Sequence, residues 1–587
     1  MDRPLPDPAG FQPVTYRFAD LRLKADGTLV RGETVLKLPA LELALLRALL
    51  VRQGKVVGAS ELNRGLWGEA HPASHLLAES LASLKKLLSP TDCIESVYRR
   101  GFRILATAEP DAPAPAKTLP MVAVLPFSTG YDVPEYIGLA LTEQTMEHLR
   151  NAPPAIAAIA ARDSVQALTR RGMPRQEIGK MLDAELLLVG QLTATAGRHR
   201  LRVEMVSVED DAPLWMEDLI AERDGIEELA AELAGRVRRR LHGGGTSIQA
   251  QAALAAGSEV PEAARDARDL YLRAHHEWQS MERHRMQDAM RGLLRAVELD
   301  ATFMAARVDL AQLAVIECIY GYLSPRIAAA TVRRATAGIP DLNEQAVALL
   351  PAVAWIEFHF DRDARSALRM IERSEGLPYD PSNTRARSWI LHSQRRSDEA
   401  VELLRAAIQT DPWSPWLQAA LAWSLHLAGE RDASVAQTRK IAEYFSDYDN
   451  TLLYAAMILA YNGETEPALE LANALTARAP HYDLATSAHA YALACAGHTD
   501  QSHELIEQLE WLGRERYVLN TLNAVTHIVL GEPDAALAVL HAANEARCPW
   551  FLQMLGDPRL EPLHGHPGFA ELKAVQAAME TDALNPP

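Results

Sequence analysis

Ala422-Trp-Ser-Leu-His-Leu-Ala-Gly-Glu-Arg-Asp-Ala-Ser434 decides how more than half of this chain folds. The same frame returns at intervals of 34 residues, as Ala456, Gly463 and Ala468, then Ala490, Gly497 and Ser502, then Ala524, Gly531 and Ala536. A small residue seven before and five after each glycine lets two helices cross closely on either side of a tight turn. Extended backwards, the frame places Ser388 and Ala400, then Ala354 and Ser366, at the small positions. Pro378, Pro412 and Pro480 occupy one equivalent repeat-end position, with Ser446 standing there once. A further unit fits Ala289, Ala296 and Ala311, with an insertion around 324–343 breaking the period. The expectation is an all-α solenoid over 263–580, in which each helix pair buries its apolar stripe only against its neighbours.

The chain has 587 residues and 59 Lys and Arg against 77 Asp and Glu, a formal charge of −18. That balance excludes a protein that coats nucleic acid or anionic lipid by bulk attraction. Residues 1–105 run the other way, with 15 Lys and Arg against 11 Asp and Glu, which confines polyanion binding to the head. No apolar run approaches the roughly 18 residues that span a bilayer, and the N-terminus lacks an apolar signal core. Cys93, Cys318, Cys495 and Cys548 form no CxxC pair, so neither a disulfide framework nor a thiolate zinc site is expected. These features predict a cytoplasmic, multi-domain protein without cofactor or structural metal.

Three breaks in composition divide the chain, the last being the onset of helical periodicity and alanine richness after about Ala263. Glu109-Pro-Asp-Ala-Pro-Ala-Pro-Ala-Lys117 is a semi-extended spacer, and His242-Gly-Gly-Gly-Thr-Ser247 opens a second linker. The expected boundaries are a head over 11–107, a linker over 108–118, a small α/β domain over 119–241, a linker over 242–262, and the repeats. In the head, Tyr16–Leu23 alternates as one half-buried strand, Asp26-Gly27 makes a hairpin turn, and Ser60 caps a short helix. A third helix over Ser74–Leu88 aligns Leu77, Leu81, Leu84 and Leu88 on one face. Its outer face carries Ala78, Glu79, Ala82, Ser83 and Lys86, with Lys85 at the edge. Ile94–Ile104 follows as two strands around a cationic tip.

Leu66-Trp67-Gly68, Leu81-Ala-Ser-Leu-Lys-Lys86 and Val97-Tyr-Arg-Arg-Gly-Phe-Arg103 together resemble the OmpR/PhoB-type winged helix-turn-helix domain. The resemblance implies an α+β head that puts its third helix in the major groove of DNA. The residues it assigns to DNA are Ser80, Ser83, Lys85 and Lys86 on the helix, and Tyr98, Arg99, Arg100 and Arg103 in the hairpin. The family commonly carries arginines where this chain has Ala82 and Ser83, and its wing arginine aligns with Tyr98. Readout then leans on Ser80, Ser83, Lys85 and DNA shape rather than on bidentate arginine. Val122–Phe127, Gly138-Leu-Ala-Leu-Thr142, Ile178-Gly179, Val189-Gly190 and Arg200-Leu-Arg-Val203 look like the TolB N-terminal-like domain. The period of 34 and its small positions match the tetratricopeptide repeat. The overall order resembles HilA-like and CadC-like regulators, without the membrane span of the latter.

Catalysis is not expected. The chain contains no G-x-S-x-G turn, no G-x-x-x-x-G-K-[ST] loop and no H-E-x-x-H pair. His275, His276 and His284 share a helix without metal-ligand spacing and read as surface histidines. The expected function is a sequence-specific transcription regulator that binds promoter DNA as double-stranded helix. Its repeat groove would hold a protein, a peptide or a small ligand, with Trp389, Trp413, Trp416 and Trp423 as candidate lining. No membrane partner is expected, and tandem half-sites would suit a homodimer. The competing reading is a cytoplasmic scaffold whose head no longer reads DNA.

Overall fold

The computed structural model describes residues 16–18, 21–23, 28–31, 34–36, 38–50, 55–67, 74–89, 93–97, 101–104, 107–108, 119–195, 197–222, 225–241, 262–339, 344–374 and 381–584. Positions 109–118 and 242–261 of the expected linkers therefore lie outside it. The chain divides into two compact units, Met1–Thr118 and Leu119–Pro587.

The first unit runs β1 (Tyr16–Phe18), β2 (Leu21–Leu23), β3 (Leu29–Arg31), β4 (Thr34–Leu36), α1 (Ala40–Leu50), α2 (Ala59–Trp67), α3 (Ser74–Leu88), β5 (Ile94–Val97), β6 (Gly101–Ile104) and β7 (Thr107–Ala108). Its five-stranded sheet has the order β4-β3-β2-β1-β7. The stretch expected as one strand is two, because Tyr16 pairs with Leu23 and Phe18 with Leu21. Ser60 is not a cap: α2 starts at Ala59, and the Gly58 carbonyl accepts from Glu61 and Leu62. Leu21, Leu23 and Leu29 of the sheet share one core with Leu45, Leu49, Leu81 and Leu84 of the helices. β5 and β6 form a separate hairpin, tied to the α1–α2 connection by two bonds between Val57 and Phe102. Gly101 (φ 131°) has to be glycine there, since a Cβ would lie 2.0 Å from the Val57 oxygen.

The second unit opens with a mixed sheet. It runs β8 (Met121–Val124), β9 (Ser128–Thr129), α4 (Glu135–Asn151), β10 (Ala158–Ile159), α5 (Arg162–Arg170), α6 (Arg175–Met181), β11 (Leu186–Thr195), β12 (Arg198–Ser207), β13 (Pro213–Glu222) and α7 (Ile226–Leu241). The sheet order is β10-β8-β11-β12-β13, parallel across β10, β8 and β11 and antiparallel beyond. Alternate residues of the same strands serve opposite faces. Val124, Leu188 and Leu201 pack with α4 and α7, while Ala123, Leu187 and Val206 pack with α5 and α6. Helix α7 is an element that sequence reading had not assigned.

Helix pairs follow: α8 (Glu262–Trp278) with α9 (Arg283–Leu299), α10 (Met304–Ile319) with α11 (Pro325–Thr336), α12 (Leu350–Ile356) with α13 (Ala364–Arg373), α14 (Pro381–Ser393) with α15 (Ser397–Thr410), and α16 (Pro415–Leu427) with α17 (Arg431–Tyr444). The series continues with α18 (Asp449–Tyr461) and α19 (Thr465–Arg478), α20 (Asp483–Cys495) and α21 (Thr499–Gly513), α22 (Asn523–Val529) and α23 (Pro533–Glu545), and ends with α24 (Phe551–Met554) and α25 (Pro567–Leu584). The stretch expected as an insertion contains α11, the partner of α10.

Gly429, Gly463, Gly497 and Gly531 turn the four pairs from α16–α17 to α22–α23 at φ 77–83°. The small positions meet as their spacing requires: Ser434 Oγ donates to the Ala422 carbonyl at 2.9 Å, and Ser502 Oγ to Ala490 at 2.8 Å. One repeat departs from the frame. A π-helical turn over Glu357–Asp361 inserts a residue, the left-handed turn falls at Arg362, and buried Ala367 replaces Ser366 at the crossing. Among the described residues no helix is long and apolar enough to cross a membrane.

Candidate functional site

Helix α3 keeps the polarity its sequence implies, with one correction. Leu77, Leu81, Leu84 and Leu88 are buried, whereas Ala78, Glu79, Ala82 and Lys86 are exposed. Ser80 is 6% exposed and does not belong to the outer face. It lies three residues after Leu77 and four before Leu84, on the leucine stripe itself. Ser83 and Lys85 are half-buried, and Lys85 Nζ donates to Ser96 Oγ of β5 at 3.2 Å. Arg103 Nε donates to Glu95 Oε2 at 2.9 Å across the hairpin, so this arginine already has an anionic partner. Tyr98, Arg99 and Arg100 lie outside the described residues.

The second unit holds a feature that sequence reading missed. The middle domain and the repeats meet around a chamber of about 1400 Å³, with α4 packed on α8 and α5 on α16. Charged side chains from four helices join at one side of it. Glu143 of α4 accepts from Arg162 of α5 at 3.4 Å and from His275 Nε2 of α8 at 2.7 Å. The other ring nitrogen of His275 bonds Asp309 of α10, which also accepts from Trp278 Nε1 at 3.2 Å. His275 is thus no surface residue: its side chain is 17% exposed and bridges two carboxylates. His284 is exposed, as expected, but it lies on α9 and does not share α8 with His275 and His276.

Burial by itself would discharge these groups, and their mutual attraction outweighs it. The charges of Asp309 and Glu143 raise the His275 imidazole to about 10, against the effect of burial. Glu143, which burial would push up, is instead held at about 2 by His275 and Arg162. A second junction lies at α5, whose preceding residue Ala161 has no side chain able to cap it. Asp411 from the end of α15 accepts from the Ser164 amide at 3.0 Å and from the Ser164 hydroxyl, capping the helix from the repeat side. Burial, and then the neighbouring Asp163, push the Asp411 carboxyl up to about 7. Trp413 completes the joint, donating from its amide to Ser164 Oγ at 2.8 Å and from its indole to the Met181 carbonyl at 3.2 Å.

Of the four tryptophans expected along the groove, only Trp416 lines the chamber. Trp389 and Trp423 are 6% and 3% exposed and pack with Trp550 in the repeat core, because their ring faces serve contacts between helix pairs. Trp413 belongs to the joint with the middle domain. Aromatic rings and arginines share the remaining wall. Arg283 lies over Tyr322, Arg385 over Trp416 and Arg170 over Tyr448, at 5.1, 4.7 and 5.8 Å from the ring centroids. Tyr482 stacks on Tyr320 at 5.6 Å.

No protein-family model matches the chain. It is 22% identical over 563 residues to the transcriptional regulator HilA of Salmonella typhi, covering 93% of this chain and 97% of that one. HilA of Salmonella typhimurium matches with the same identity and coverage. Among solved structures, YrrB, a TPR protein with an unusual peptide-binding site, is 16% identical over 33% of this chain and 95% of its own, with a TM-score of 0.21. TolB of Acinetobacter baumannii is 13% identical over 22% and 29%, with a TM-score of 0.17. At these scores neither superposition carries an argument about this chain.

Proposed function

We propose that this chain is a DNA-binding transcription regulator that works in the cytoplasm without a catalytic step. The observation that carries the reading is its similarity to HilA regulators, which runs through 93% of the chain rather than through one domain. In this reading the first unit is a winged helix-turn-helix of the OmpR/PhoB type. Helix α3 enters the major groove with Ala82, Ser83 and Lys86 foremost, and Lys85 approaches from its flank. The β5–β6 tip, with Tyr98, Arg99 and Arg100, lies against the neighbouring backbone or minor groove. The short, uncharged Ala82 and Ser83 allow close approach but no bidentate guanine contact, so sequence preference rests largely on DNA shape. The TolB-like sheet and the tetratricopeptide-type repeats receive the signal. A ligand changes DNA binding only to the extent that it binds the competent and incompetent arrangements unequally.

The test is affinity of the full chain for genomic DNA fragments across a salt series. A fall in log K of about 0.9 per log unit of salt is expected for each phosphate neutralised. Joint replacement of Lys85, Lys86, Arg99 and Arg100 by alanine should flatten that slope and abolish binding at physiological salt. A wild-type chain that binds no fragment at low salt would refute the reading and leave a protein-binding scaffold in its place.

A further inference from the structure

Polar groups around the chamber fall into two sets. The carboxylates Glu143, Asp309 and Asp411 are engaged as described, and Asp449 accepts from Arg478 Nε at 2.6 Å. Asp163 pairs with Arg162 at 3.3 Å, while Glu147, Glu282 and Asp447 are exposed to solvent. The guanidiniums on the aromatic wall differ. Arg283 is held by the Tyr322 ring and by one bond to the His481 carbonyl at 2.7 Å, and Arg170 by Tyr448. Neither makes an ion pair with a carboxylate among the described residues, although the charge of Arg283 acts on the buried Glu317. A guanidinium within 5–6 Å of a ring centroid is steadied by that contact and keeps N–H donors available, which suits a carboxylate or phosphate. The aromatic wall beside it offers faces for stacking.

We propose that this chamber binds a small organic anion with a flat body, the charge met by Arg283 and Arg170 and the body lying against Tyr322, Tyr448 and Trp416. With α4 on α8 and α5 on α16, the first-helix surface of the repeats is divided, which favours a compact ligand over an extended chain. The volume of about 1400 Å³ exceeds the roughly 300–1,000 Å³ of drug-sized sites, leaving room for ordered water or a nucleotide-sized molecule. Such a ligand touches both the middle domain, through Arg170, and the repeats, through Arg283, so it stabilises their joint. The inference rests on the signal-receiving role proposed for this unit. Its test involves no DNA, so failure of the chamber and failure of the head are separate results.

The probe is 1-anilinonaphthalene-8-sulfonate, an aromatic anion, titrated by fluorescence into the purified full-length chain. One saturable site per chain is expected, weakened about tenfold in Arg283→Ala and in Arg170→Ala, the loss of one charge-assisted hydrogen bond. Competition then separates the chemistries: indole-3-acetate brings a carboxylate, adenosine monophosphate a phosphate, and tryptamine a flat body of opposite charge. Displacement by either anion about tenfold better than by tryptamine supports the proposal, and the better anion names the headgroup. Probe binding unchanged in both variants, displacement by neither anion, or equal displacement by tryptamine overturns it. If either variant melts early, the charge preference of the unaltered protein still decides.

Discussion

Helix α3 of the head and the joint between α4–α5 and the repeats are both polar surfaces, yet their side chains are used differently. On α3, Glu79 and Lys86 face solvent, while Lys85 is held by a bond to Ser96. In the joint, Glu143, Arg162, His275 and Asp309 satisfy one another at the chamber wall, with side chains only 9–31% exposed. Polar groups that complete each other hold architecture; those left open are where a partner is to be sought. Chemistry alone does not separate the two, because both surfaces mix acids and bases at similar density.

The largest expected effect tests the joint. His275→Ala leaves Glu143 and Asp309 buried without their shared cation, which costs roughly 3–5 kcal/mol, read from the urea midpoint of the full chain. A change below about 1 kcal/mol would mean that the cluster is solvated and that the contrast with α3 is false. The same histidine gives a pH signature. Its raised value means that its contribution is fully present below the ordinary histidine range near 6.5 and is lost as pH rises through about 10. The wild type should therefore weaken on the alkaline side, and His275→Gln should lack that component.

A smaller effect belongs to Asp411. An acid pushed up to about 7 contributes stability that is fully present below its unfolded value near 3.8 and is lost as pH rises through 7. Asp411→Asn keeps an oxygen for the Ser164 amide but cannot ionise. It should gain on the wild type by more than about 1 kcal/mol between pH 4 and pH 8. Equal pH profiles for the two proteins would remove Asp411 from the buried set.

The head supplies the last pair. Lys86→Ala should weaken DNA binding severalfold and lower the salt slope by about 0.9, as one lost phosphate contact requires. Ser80→Ala, on the leucine side of α3, should leave both unchanged. A reversal of the two would place the open face of the helix on the wrong side.

The repeats were legible because their geometry is local: a glycine at φ near 80° and two small residues, alanine or serine, recur on a fixed period. The reversal between β1 and β2 was also written in the chain. The apolar positions move from 16 and 18 to 21 and 23, a change of parity that one continuous strand does not make. Helix α7 carries Leu229, Leu233 and Val237 on one face, a sparse stripe set among alanines, glutamates and arginines rather than in an apolar run. The π-helical turn at 357–361 had no local signature, and shifted the crossing from Ser366 to Ala367. The chamber was not legible at all. Glu143, Arg162, His275 and Asp309 stand on four helices widely separated in sequence, and only tertiary packing makes neighbours of them. His275 looked exposed because it flanks the charged face of α8, at the margin of the stripe that buries Ala267, Ala274 and Trp278, and nothing in its own turn announces that α4 and α10 close over it.

The cap on α5 has an evolutionary corollary. A helix whose first turn is finished by an aspartate some 250 positions downstream is not a self-contained part. Chimeras that exchange the sheet domain between related proteins should fail at this seam unless the graft carries the aspartate and its serine together. Covariation of the aspartate and the serine across many sequences is the trace expected if the two modules are inherited together.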